Sequence, residues 1–249
     1  MQVKSYVLGL LMLTGYAQGF AGTMATQMPN HAYHPYAVFT AAADFTRTGR
    51  SQTLSLLPPF NNHYTNTSTD TNSADLGFGI GIEGRALPFL SWQAGVSGYW
   101  NTPLSREGDV WQFALPEFNN FHYHYKIQSS RVMAIAKLLT NYHECFHPYL
   151  SGELGAAFNR SRSYYEKPLI EEAVAMPPFS DHTQSSFAWG VGAGIDVDVW
   201  THLRVGIGYQ FADLGQAKLG LSPAEATKET LSNPNLYTHQ LRFQLTAVL

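Results

Sequence analysis

The sequence predicts an all-β chain, an eight-stranded antiparallel up-and-down transmembrane β-barrel with short periplasmic turns and four long extracellular loops. Three observations predict it: recurrent two-residue alternation, sparse charge, and linkers that alternate between short and long. Alternation with a period of two marks a strand whose two faces meet different surroundings. Only 13% of the 249 residues are charged, against about 25% in a soluble globular domain. Hydrophobic residues make up 45% of the chain, yet mean hydropathy is −0.16, so the apolar residues are dispersed. That excludes a bundle of membrane helices, each of which needs about 20 consecutive apolar residues. A net charge of −3 without a Lys/Arg run argues against nucleic acid as a partner. An aromatic content of 14% argues against disorder.

The first 21 residues read as a signal peptide, leaving 22–249 as the barrel domain. Lys4 is followed by an apolar stretch from Tyr6 to Tyr16 and by small residues at Ala17 and Gly19, the grammar of a cleaved export signal. Its removal takes away Lys4 and no acid, so the net charge moves from −3 to −4. The single cysteine, Cys145, has no intrachain partner. An exported chain without a disulfide framework needs another source of closure, and a sheet closed on itself supplies one.

The strands follow in order. The first covers about Tyr36 to Arg47. In the second, Leu76, Phe78, Ile80 and Ile82 oppose Gly77, Gly79, Gly81 and Glu83. The third runs from Phe89 to Trp100 and the fourth from Lys126 to Leu139. Placing Arg131 and Lys137 inside the fourth also places Met133 and Ile135 inside, so either these fill the lumen or a bulge shifts the phase. The fifth covers Pro148 to Arg160. In the sixth, Phe187, Trp189, Val191, Ala193, Ile195 and Val197 oppose Gly190, Gly192, Gly194, Asp196 and Asp198. The seventh sets Leu203, Val205, Ile207, Tyr209 and Phe211 against Arg204, Gly206, Gly208 and Gln210. The eighth sets Leu241, Phe243, Leu245 and Leu249 against Gln240, Arg242 and Gln244.

No proline interrupts an alternating core, as ladder hydrogen bonding requires, while 13 of the 21 glycines lie inside the proposed strands, nearly all on the polar face. In a narrow barrel such glycines make room for larger inward neighbours. The links after strands one, three, five and seven are long, each more than about 20 residues, and those after two, four and six are short. An even number of strands with this asymmetry is the pattern of an outer-membrane barrel.

A soluble lipocalin-like barrel also alternates, but its outer face must carry charge. Here the strand charges share the glycine face: Asp44, Glu83, Arg85, Arg131, Lys137, Glu153, Asp196, Asp198, Arg204 and Arg242. They are expected to form a lumenal network, with Glu83, Glu153 and Asp196 facing Arg85, Arg131 and Arg204. Trp92, Tyr149 and Trp200 near short turns, and Trp100 and Tyr237 near long loops, are expected to form interfacial girdles.

The last strands carry a family resemblance. Gly192-Ala193-Gly194-Ile195-Asp196-Val197, a short turn, and Leu203 to Gly215 resemble the small outer-membrane barrel families: the OmpA transmembrane domain, OmpX, OmpW and opacity-type, porin-like surface proteins. His147-Pro148-Tyr149-Leu150 with Gly152 and Gly155 resembles their fifth-strand entry. The resemblance implies location in the cell outer membrane, with its lipids and lipopolysaccharide as surroundings, and the barrel-assembly machinery as a partner. Leu249 stands where such chains typically end in an aromatic residue.

The resemblance also raises three functions. The leading one is a non-enzymatic barrel whose loops serve envelope structure or adhesion to a host or surface ligand. The alternative is a narrow porin-like channel for small, hydrophobic molecules, as in OmpW. The third is a lipid A modifying enzyme, for which Asp181, His182, Ser185 and Ser186 are the nearest constellation, although sequence neighbours along a strand are poor catalytic partners. His122 and His124 share a strand face but are too few to make a zinc site, and His143 and His147 flank Cys145. No catalytic residue, cofactor or metal is assigned. The loops are hydrated or mixed, and Ser222-Pro223-Ala224-Glu225 has the pattern of a helix start.

Overall fold

The computed structural model describes residues 33–47, 49–55, 61–67, 70–141, 145–175, 179–221 and 229–249. The expected signal segment, the Ser222 to Glu225 helix start and His143 lie outside the described residues. Eight long strands make the wall: β1 (His34–Arg47), β2 (Asp70–Leu87), β3 (Leu90–Asn101), β4 (Asn119–Thr140), β5 (Phe146–Pro168), β6 (His182–Trp200), β7 (Leu203–Asp213) and β8 (Tyr237–Val248). Each pairs antiparallel with its neighbours in sequence. β8 returns to pair with β1 from Tyr36↔Val248 to Arg47↔Tyr237. The ring is therefore closed, and no wall strand is left as an edge.

Burial alternates along the wall with a polarity opposite to that of a soluble protein. On β8, Thr238, Gln240, Arg242 and Thr246 are buried, whereas Leu241, Phe243 and Leu245 are exposed. The same holds on β2, where Asp75 and Glu83 are buried while Leu76, Phe78 and Ile80 are exposed. A contiguous outward belt of this kind is the surface that a lipid-embedded barrel presents. The fourth strand keeps the phase of its charges: Met133 is buried and Ile135 half-buried on the lumen face, and the register with β3 runs unbroken from Ser130↔Trp100 to Thr140↔Leu90. Met133 and Ile135 thus fill the lumen, without a bulge.

The links at one end are 88–89, 141–145 and 201–202, and the chain enters β1 and leaves β8 at that same end. At the other end the wall continues further than expected. β4 starts at Asn119, not Lys126, and β5 runs to Pro168, not Arg160, so links 102–118 and 169–181 are shorter than anticipated. Short strands at Leu104–Trp111, Asn61–Tyr64 and Gln52–Ser55 extend the sheet from β4.

An inversion of polarity hides this extension in the sequence. Above Ser130, the inward residues Ile127, Tyr125, Tyr123 and Phe121 are buried and apolar, while Gln128, Lys126, His124 and His122 face outward. The period of two persists, but above Ser130 the apolar residues turn from the outward face to the inward one. Inside this extension, Tyr64, Tyr123, Tyr125 and Phe179 pack with Leu214, Leu219, Leu231 and Leu236 into one buried cluster. An apolar cap therefore closes the long-loop end above a polar lumen.

Candidate functional site

Strand alternation aims one residue in two into the lumen, and there the charges stack in layers. Nearest the cap, Arg131 Nη2 donates to Asp75 Oδ2 at 2.5 Å and Nη1 to Asn101 Oδ1 at 3.0 Å. Asp44 accepts from Asn101 Nδ2 at 2.5 Å and Gln240 Nε2 at 2.8 Å. In the next layer, Arg242 Nη1 donates to Glu153 Oε1 at 2.6 Å. Glu153 also accepts from the Tyr99 hydroxyl and from Gln210 Nε2, both at 3.0 Å. The guanidiniums of Arg131 and Arg242 lie 4.3 and 4.9 Å from the Tyr99 ring centroid, which adds cation–π attraction.

Further down, Lys137 Nζ donates to Asp196 Oδ2 at 2.6 Å and to Gln244 Oε1 at 3.0 Å, and sits 3.7 Å from the Tyr149 ring centroid. At the short-turn mouth, Arg204 bridges Glu83 at 2.5 Å and Asp198 at 2.7 Å. Asp198 continues to His147 Nε2 at 2.8 Å. Each layer pairs acid with base, as burial demands. A cavity lined by Tyr36, Gln93, Tyr99, Lys137, Glu153 and Arg242 among others is about 20 Å³, room for about one water.

Several expected placements differ. Arg85 is exposed and takes no part in these pairs. The β2–β3 register shifts between Arg85 and Leu87, and Arg85 lies past the last lumen layer, beside the turn. Arg204 takes Glu83, and Glu153 pairs with Arg242 instead of an arginine from the second or fourth strand. Asp75, the partner of Arg131, precedes Leu76, where the regular alternation of the second strand begins; its position two residues before Gly77, on the glycine face, is the signal for it in the sequence. Tyr149 is 7% exposed and belongs to the lumen, not to a girdle, because it shares the face of His147 and Glu153. Glycine makes its place: a Cβ at Gly194 would stand 2.6 Å from Tyr149 Oη, and one at Gly208 closer still. Trp100, Trp200 and Tyr237 are exposed on the outer surface. Trp92 is half-buried against the edge of Tyr33, 6.0 Å away.

The enzyme constellation does not assemble. Along β6, Ser185 is exposed while His182 and Ser186 turn to the other face. The Ser186 hydroxyl donates to the Gln216 carbonyl at 3.1 Å. His182 and Ser186 stand four residues apart, about 13 Å along a strand. His122 Nδ1 is 2.9 Å from Asp109 Oδ1, and His124 packs on Tyr165 with centroids 5.2 Å apart. Among the described residues no group of three His, Cys, Asp or Glu side chains is placed to hold a metal.

In the cap, burial raises the carboxyl of Glu166 above its ordinary value of 4.5, and Tyr164 donates its hydroxyl to Glu166 Oε1 at 2.5 Å. Burial also pushes the Tyr123 hydroxyl up to about 12.

The closed ring with its outward apolar belt decides the class. The fold is that of a small outer-membrane β-barrel. No family model matches the sequence, and no curated protein matches it. Solved structures similar to this barrel include Neisserial surface protein A, at 13% identity over 86% of this chain and 96% of that one, with a TM-score of 0.47. OprG from Pseudomonas aeruginosa is 12% identical over 87% and 97%, with a TM-score of 0.45. Ail, the attachment invasion locus protein of Yersinia pestis, is 12% identical over 86% and 97%, with a TM-score of 0.35. The likeness is one of fold.

Proposed function

We propose that this chain is an integral outer-membrane protein that neither catalyses nor conducts, and that its plugged barrel holds a surface platform for envelope contact or adhesion. The lumen carries this reading: among the described residues, the paired charges leave a cavity of about 20 Å³, and the aromatic cap lies over it. The platform offers contact material at its apex. Phe113, Leu115 and Phe118 are exposed beyond the polar outer face of the extension, so they meet water and not lipid. Phe113 and Ala114 hold left-handed backbone at φ 57°, a costly conformation outside glycine that keeps this apex turned out.

Two measurements test the reading. In planar bilayers the full chain is expected to give no stable conductance steps, and porin-sized steps would overturn the plug. For orientation, a cysteine at Glu117 is expected to react with an impermeant maleimide on intact cells, while native Cys145 in the short turn reacts only after the envelope is opened. The reverse pattern, or recovery of the protein in the soluble periplasm, would overturn the location.

A further inference from the structure

The pairing of β4 with β5 brings Lys126 beside Arg160 and Arg162, which lie two residues apart on one strand. Lys126 pairs with Arg162, and Gln128 with Arg160. Lys126 and Arg160 are exposed and Arg162 is half-buried, all on the outward face. Directly below, Ser130 pairs with Phe158 and Val132 with Ala156, and Val132 pairs on its other side with Gly98. Here the outer wall is hollowed. A groove of about 640 Å³ is lined by Leu76, Phe78, Trp100, Val132 and Phe158, with Gly98 in its floor. A Cβ at Gly98 would meet only the Arg131 carbonyl, 4.0 Å away, so the floor is open. Successive outward residues are about 7 Å apart along a strand, which puts Arg160 one step above Phe158 and the Lys126–Arg162 pair one step higher.

We infer that this face binds one phosphorylated acyl lipid of the outer leaflet, lipid A in chemical class, with an acyl chain in the groove over Gly98 and its phosphates among Lys126, Arg160 and Arg162. The inference rests on the proposed orientation, long loops outward. Groove and cations are continuous, apolar in the hydrocarbon zone and basic where the wall enters water, which is the profile of such a lipid and of neither free phosphate nor a protein. Asp181 Oδ2 lies 3.7 Å from Arg160 Nη2, both side chains being more than half exposed, and Arg162 Nη2 donates to Gln128 Oε1 at 3.2 Å. The next carboxylate along the sheet, Glu107, pairs with His124 one step further out. Three cations against Asp181 leave the patch positive, and guanidiniums engage phosphate with two parallel hydrogen bonds.

The test is native mass spectrometry of the detergent-purified full chain, titrated with bisphosphorylated lipid A, its dephosphorylated form and phosphatidylglycerol. Wild type is expected to bind one bisphosphorylated lipid A in preference to the other two. The triple variant K126Q/R160Q/R162Q is expected to bind it about tenfold more weakly, some 1.4 kcal/mol, and the dephosphorylated form unchanged. Gly98→Phe fills the groove and is expected to weaken both. Heat-modifiable migration establishes that each variant is folded. Equal binding by wild type and both folded variants, or phosphatidylglycerol binding as tightly as lipid A, overturns the site. If Cys145 labelling shows the opposite orientation, the reading beneath it falls as well; if orientation holds and the lipid series is flat, the site alone falls.

Discussion

Arg242 and Glu153 meet in the middle of the lumen with Nη1 2.6 Å from Oε1, each side chain 3% exposed. They come from β8 and β5, strands that are not neighbours in the ring, so the pair spans the barrel interior. Removing one member leaves a buried charge without its partner, and the penalty exceeds the worth of the pair itself. Arg242→Met is expected to lower stability by about 3–5 kcal/mol, read from the urea midpoint of unfolding in micelles. Arg242→Met combined with Glu153→Leu should recover most of that loss. Simple addition of the two single effects would contradict a coupled pair.

Tyr149 occupies the lumen only because β6 and β7 carry glycine opposite it. Gly208→Ala puts a methyl group into the space of Tyr149 Oη and is expected to cost about 1–3 kcal/mol, as overpacking does. Tyr149→Phe removes the clashing oxygen, so the double variant should unfold nearer to the single Tyr149→Phe than to Gly208→Ala. The same urea series reads it.

The inversion of polarity above Ser130 is expected to coincide with the membrane boundary. Ile80→Arg, in the apolar belt, is expected to destabilise the barrel by about 2–4 kcal/mol, and Gln128→Arg, just beyond it, by about 0–1 kcal/mol. Folding yield and unfolding midpoints in lipid vesicles check this. Equal penalties at the two positions would remove the boundary.

The cap should loosen as pH rises. Burial raises the Glu166 carboxyl from 4.5, so between the unfolded and folded pKa values the folded state holds the proton that the unfolded state has lost. The contribution is fully present below about 4.5 and declines as pH rises through the folded value. Protection factors around Tyr164, which remove the pH dependence of intrinsic amide exchange, are therefore expected to be higher at pH 5 than at pH 8, with Glu166→Gln reducing the difference. His124 acts oppositely, since its burial lowers its pKa; the Glu166→Gln comparison separates the two.

Much of the barrel was legible in the sequence, because the period of two is imposed residue by residue. Wherever hydrocarbon and lumen lie on opposite sides of one strand, the alternation of Leu241, Phe243 and Leu245 with Gln240, Arg242 and Gln244 must show. Strand number, link asymmetry and most inward charges followed. The ends of β4 and β5 did not, because Phe121, Tyr123 and Tyr125 face inward there, and a search for outward apolar residues ends where water begins.

What the chain determined by itself was which residues share a face. Which of them touch was decided by the closed ring. Register across eight strands, including the return of β8 to β1, chose Arg242 for Glu153 and Asp75 for Arg131, and left Arg85 outside. It also brought Lys126, Arg160 and Arg162 together above the Gly98 groove, although the sequence contains no basic run. Alternation is a local property, whereas partners are set by pairing between strands distant in sequence, and only closure fixes that pairing.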